Sequence, residues 1–108
     1  MIQTAEEVLK LSPVMPVVVV ENVVAAEHLA RALLAGGTRT IEVTLRTPAA
    51  LDAIARISHA VPEMIVGAGT ILSAGDLDAA VNAGARYALS PGGTPKLRKA
   101  ARRRPIPF

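Results

Sequence analysis

The sequence predicts an α/β fold in which strand–helix units repeat around a parallel sheet. Four short apolar runs alternate with helix-like segments, and successive runs begin 22 to 24 residues apart. A near-constant period of this length is typical of βα repeats. Hydrophobic residues make up 51% of the 108 positions and aromatic residues only 2%, so aliphatic side chains must fill the core between helices and sheet.

The predicted strands cover residues 17–20, 41–44, 64–67 and 87–90. The first of these runs is four consecutive valines. Parallel strands are covered on both faces, which explains a run without polar alternation.

Each predicted helix has a recognisable start. Thr4 with Glu7 forms a capping box for a leading helix that runs to about Leu11. Asn22 caps a helix over residues 23–35. Comparable signals open the later helices: Thr47 before Pro48, Ser73 with Asp76, and Thr94 before Pro95.

Glycines mark where two of the helices stop. Gly36 and Gly37 end the helix over residues 23–35, and Gly84 ends the helix that follows Ser73. Glycine supplies the left-handed conformation that a helix C-terminus favours.

Repeated βα units form either an open doubly wound sheet or part of a closed (β/α)8 barrel. A dinucleotide-binding sheet needs G-x-G-x-x-G after a strand, and the nearest match, residues 67–70, lacks the third glycine. No phosphate-binding P-loop occurs. These absences favour half of a barrel, with the small open sheet as the alternative.

Residues 41–47 carry the polar groups most suited to chemistry. Strand alternation separates an apolar face from a polar one that bears Glu42, Thr44 and Arg46. The apolar face of a βα repeat meets the helices, so the polar face is expected to point into the barrel interior. Arg46 ends the strand, where barrel enzymes place their active sites. A structural Glu–Arg pair or a solvent-facing edge strand is the alternative.

Three segments together resemble one enzyme family. Residues 41–47 (IEVTLRT), 65–70 (IVGAGT) and 88–92 (ALSPG) resemble the strand ends of 2-dehydro-3-deoxy-6-phosphogluconate (KDPG) and 4-hydroxy-2-oxoglutarate aldolases. Residues 13–17 (PVMPV) are similar to the family's first strand. The resemblance implies a (β/α)8 barrel, of which residues 1–108 are one partial domain: a leading helix and about the first four βα units.

The resemblance also implies a lyase, a class I aldolase without metal or organic cofactor. A lysine forms a Schiff base with the keto carbon of pyruvate, and Glu42 is the catalytic acid/base. Arg46, Thr70 and Pro91 bind the substrate, the first two at its carboxylate. The substrate implied by the resemblance is 2-keto-3-deoxy-6-phosphogluconate, cleaved to pyruvate and glyceraldehyde 3-phosphate, or 4-hydroxy-2-oxoglutarate, cleaved to pyruvate and glyoxylate. The family is usually homotrimeric.

The sequence departs from the family at its nucleophile. The Schiff-base lysine of the family lies on the sixth strand, and the phosphate-binding glycines lie on later loops. The lysines here are Lys10, Lys96 and Lys99, none in a matching context. We therefore expect the isolated chain to be inactive.

The positive charge is concentrated in a basic tail, residues 96–108. This tail holds six basic residues and no acid, whereas the chain as a whole has a net charge of +3. An alternative to the aldolase is a non-catalytic half-barrel module whose basic tail binds a polyanion. A nucleic-acid partner is not expected, because stacking aromatics are missing.

The remaining patterns indicate no metal, membrane or secretory role. His28 and His59 have no second ligand at metal-binding spacing. The longest apolar run is too short to span a bilayer, and no leader peptide is recognised. Without cysteine, the chain is expected to be a soluble protein of the cytoplasm.

Overall fold

Three parallel strands form a sheet in the order β1-β2-β3 in a computed structural model that describes residues 2–108. The helices and strands follow in chain order: α1 (Ala5–Leu9), β1 (Val17–Val18), α2 (Val23–Ala35), β2 (Thr40–Thr44), α3 (Ala50–Ala60), β3 (Ile65–Gly69), α4 (Ala74–Ala83) and α5 (Pro95–Ala101).

β2 is the central strand. It pairs with β1 through Val17 and Glu42, and with β3 along its whole length from Thr40 opposite Ile65. Both pairings are parallel and join strands that are consecutive in the chain. The predicted parallel α/β class is therefore confirmed.

The fourth predicted strand, at residues 87–90, is a single parallel bridge between Ala68 and Ala88. The amide of Ala68 donates to the Tyr87 carbonyl at 3.0 Å, and the Leu89 amide donates to the Ala68 carbonyl at 2.9 Å. On the other side, the Ala88 amide donates to the Pro107 carbonyl at 3.0 Å.

β1 is also shorter than predicted, covering two of the four valines. The carbonyls of Val18 and Val20 accept hydrogen bonds from the Thr44 and Thr47 hydroxyls, the first at 3.1 Å. Side chains of the neighbouring segment thus take the place of backbone partners where the strand ends.

Four predicted helix caps are confirmed. The side chains of Thr4, Asn22, Ser73 and Thr94 each accept a hydrogen bond from the amide three residues on, at 2.9 to 3.2 Å. α1 nevertheless ends at Leu9, two residues before the predicted end.

The cap predicted at Thr47 is wrong. α3 begins at Ala50 after Ala49, which makes no side-chain cap bond. The Thr47 hydroxyl donates instead to the Val20 carbonyl, so a tertiary contact replaces the local cap.

The buried side chains form two clusters on opposite faces of the sheet. The larger lies between the strands and α2 to α4 and includes Ile41, Val43 and Ile54, all fully buried. The smaller joins Val8 of α1 to Ile65 and Tyr87. α1 therefore covers the face of the sheet opposite the other helices. No helix within residues 2–108 combines the length and apolarity needed to cross a membrane.

Replacing Gly84 by alanine is expected to lower the free energy of unfolding by about 1–2 kcal/mol, because Gly84 has φ +111°, a conformation that disfavours a side chain. An added Cβ would also approach the Ser58 hydroxyl to 2.5 Å. Urea denaturation measures the change. Gly36→Ala is the matched control, since Gly36 also ends a helix but has φ −83°. Equal stability losses in the two variants would contradict the conformational argument.

Candidate functional site

Glu42 is the charged residue that the sheet buries. It lies at the centre of β2 with 8% exposure, and its neighbours Ile41 and Val43 belong to the core cluster on the opposite face. The carboxyl group is thus directed away from the helices α2 to α4, as the alternation predicts. A carboxyl group buried at the centre of a sheet requires a specific environment.

Two glycines of β3 provide the space on this inner face. A Cβ built at Gly69 would overlap the carboxylate of Glu42. A Cβ built at Gly67 would overlap the aromatic ring of Tyr87. The glycines therefore let an acid and a phenol lie directly against the β3 backbone.

Burial and Arg46 act on Glu42 in opposite directions. Burial raises the pKa of the Glu42 carboxyl group, and the positive charge of Arg46 lowers it by a smaller amount. The Arg46 side chain is exposed just beyond β2, and the two residues form no ion pair. A raised pKa is what a general acid near neutral pH needs.

Thr70 follows Gly69 at the end of β3 and has φ +58°. A β-branched residue in this left-handed region is a backbone outlier that the surrounding structure must maintain. Thr70 is half-buried and adjacent in sequence to the glycine that contacts the Glu42 carboxylate. This places Thr70 at the same end of the sheet as Arg46.

Pro91 lies in the turn after the fourth predicted strand and is exposed. The Ser90 side chain and the Gly92 backbone share hydrogen bonds of 3.1 and 3.2 Å that shape this turn. Because the paired segments are parallel, Arg46, Thr70 and Pro91 all follow strand ends at one edge of the sheet. Glu42 and Arg46 interact electrostatically, whereas Pro91 shares only the edge with them.

Sequence reasoning missed Tyr87 as part of this site. Its ring is 2% exposed, and its hydroxyl is buried with no hydrogen-bond partner. Burial raises the pKa of the phenol, and the charge of Glu42 raises it further. Alternation across residues 87–90 already separates Tyr87 from Ala88. What the sequence does not show is that the ring packs on Gly67, twenty positions earlier.

The three lysines are exposed, whereas Glu42 is buried. Lys10, at the end of α1, pairs with Glu6 at 2.8 Å, and Lys96 and Lys99 are exposed on α5. Within residues 2–108, no three His, Asp or Glu side chains are grouped so that they could hold a metal ion.

Comparison with known proteins gives one consistent family. The family model of KDPG and KHG aldolases matches residues 5–108. The chain is 51% identical over 105 residues to the KHG/KDPG aldolase of Escherichia coli K12, covering 97% of this chain and 49% of that protein. It is 51% identical over 96 residues to the 2-dehydro-3-deoxy-phosphogluconate aldolase of Zymomonas mobilis, covering 89% and 46%.

Solved structures agree with the sequence matches. A KDPG aldolase from Legionella pneumophila, crystallised with pyruvate captured as a covalent carbinolamine intermediate, superposes with a TM-score of 0.89 at 44% identity. The match covers 93% of this chain and 48% of that one. The chain spans about half the length of the curated relatives it matches.

Proposed function

Because the chain belongs to the KDPG and KHG aldolase family, we propose that it is the N-terminal half of a (β/α)8 barrel and carries part of a class I aldolase site. Strands that neighbour in chain order support the barrel, since barrel strands follow one another around the axis. The superposition on about half of a family member, with a TM-score of 0.89, favours the barrel over a small open sheet.

The buried position of Glu42 carries this proposal. Carbinolamine formation, its dehydration and the cleavage step each move a proton, and a carboxyl group of raised pKa can both give and take one. Glu42 is buried on the inner face of the sheet, near the edge where Arg46 and Thr70 lie. We assign it the acid/base role.

Arg46, Thr70 and Pro91 are assigned to substrate binding. The exposed guanidinium of Arg46 can pair with a planar carboxylate through two parallel hydrogen bonds. Thr70 offers a hydroxyl at the same edge of the sheet, and Pro91 lies at that edge too. These residues would hold the pyruvate half of the keto acid.

The proposed reaction needs a lysine amine from the second half of the barrel, outside the residues that match the family here. A lysine amine adds to the keto carbon, water leaves, and the protonated imine accepts the electron pair when the carbon–carbon bond breaks. Loss of the proton from the C4 hydroxyl accompanies this cleavage and releases the aldehyde. Protonation of the resulting enamine and hydrolysis of the imine then release pyruvate and the free lysine. Substrates are 2-keto-3-deoxy-6-phosphogluconate or 4-hydroxy-2-oxoglutarate, and the assembly is a cytoplasmic homotrimer.

Borohydride reduction with pyruvate tests the proposal by trapping a Schiff base as a stable amine. We expect no adduct on the 108-residue chain by intact mass, because Lys10, Lys96 and Lys99 are exposed, whereas Glu42 is buried on the inner face of the sheet. The same chain joined to the second half of the Escherichia coli relative is expected to form one adduct. A stoichiometric adduct on the 108-residue chain, or none on the joined protein, would contradict the proposal.

A further inference from the structure

The Tyr87 hydroxyl is the buried side-chain polar atom that has no hydrogen-bond partner within residues 2–108. A phenol in this situation loses its bonds to water without replacing them. Its ring could have been supplied by phenylalanine at no such cost. A neighbouring group that accepts a hydrogen bond from it would account for the hydroxyl.

Glu42 is the acceptor that the geometry offers. The hydroxyl end of the Tyr87 ring packs against Gly67, and Gly67 is the register partner of Glu42 across the parallel ladder. Glu42 and Tyr87 lie on the two segments that flank β3, with backbones about 10 Å apart, and both side chains extend over β3 on the same face. The Glu42 carboxylate contacts Gly69, one inward position further along β3.

Within residues 2–108, Glu42 is the charged group that acts on the Tyr87 phenol. The apolar residues that pack with the Tyr87 ring are Val8 and Ile65, with Ile2, Leu11 and Met15 at the margin. Arg46 is the positive group whose charge acts on Glu42, and Glu42 is the negative group whose charge acts on Tyr87. The ionic groups of α1, Glu6 and Lys10, are exposed and pair with each other.

We propose that Tyr87 is a positioning residue whose hydroxyl donates a hydrogen bond to Glu42 when that carboxyl group is ionised. The inference rests on the proposed acid/base role of Glu42. A bond to the carboxylate favours the charged form and opposes the effect of burial. Tyr87 would thereby set the pH at which Glu42 exchanges its proton.

The test is a pair of NMR titrations on the 108-residue chain. With labelled glutamate carboxyl carbons, Tyr87→Phe is expected to raise the pKa of Glu42 by about one pH unit, because the donor is lost while the ring remains. Glu63→Gln, a change at an exposed acid just before β3, is the control and should leave that titration unchanged. An unchanged Glu42 titration in a folded Tyr87→Phe variant would overturn the proposal.

A second measurement covers the case in which Tyr87→Phe does not fold. Tyr87 is the only tyrosine and the chain has no tryptophan, so a labelled Cζ gives one resonance. We expect this resonance to shift as Glu42 ionises, and Glu42→Gln to abolish the shift. A resonance that does not follow Glu42 would also overturn the proposal. Neither titration requires aldolase activity, so a failure here is distinct from failure of Schiff-base trapping.

Discussion

Glu42→Gln in the joined, full-length barrel is expected to lower kcat by about 10²- to 10⁴-fold with little change in KM. Glutamine keeps the size and polarity of the side chain but cannot exchange a proton. Proton transfer contributes in the transition state, so turnover suffers more than binding. Steady-state kinetics on the keto-acid substrate measure both constants, with Glu63→Gln as the exposed control.

Arg46→Ala in the same protein should change KM more than kcat. Arg46 is assigned to the substrate carboxylate, whose charge is present before and during the reaction. Its loss is therefore expected chiefly to raise KM. If Glu42→Gln mainly raised KM and Arg46→Ala mainly lowered kcat, both assignments would be rejected.

Gly67→Ala is expected to lower the free energy of unfolding of the 108-residue chain by about 2–3 kcal/mol. The added methyl group would overlap the Tyr87 ring, which is packed between β3 and α1. Chemical denaturation followed by circular dichroism measures the loss.

Gly92→Ala is the matched control, because a Cβ at Gly92 meets nothing within 4 Å. Its effect should stay within about 0.5 kcal/mol. Combining Gly67→Ala with Tyr87→Leu should recover part of the loss, giving a favourable coupling free energy between the two sites. Additive effects would show that the ring is not the obstacle.

Local signals in the sequence predicted most of the helix boundaries. Asn22, Ser73 and Thr94 cap the helices assigned to them, because the bonding partner lies three residues away in the same chain segment. Thr47 carries the same signal, yet its hydroxyl bonds to Val20 across the fold. A sequence pattern cannot reveal that a tertiary acceptor competes with a local one.

In the site, too, features set within one strand could be predicted, whereas contacts between distant segments could not. Alternation within one strand accounts for the burial of Glu42 and for its side chain lying on the face of the sheet away from Ile41. The involvement of Tyr87 depends on contact with Gly67 of another strand and with Val8 of α1. Residue spacing predicts the first kind of relation, whereas the second requires the strands to be placed side by side.

The packing of Val8 on Tyr87 also determines when α1 can dock. The two residues lie far apart in the sequence, so this contact forms only after the chain has been synthesised through Tyr87. A five-residue helix has little stability by itself in water. α1 should thus order only after the segment it packs on has been synthesised, and its amides should exchange with solvent sooner than those of β2.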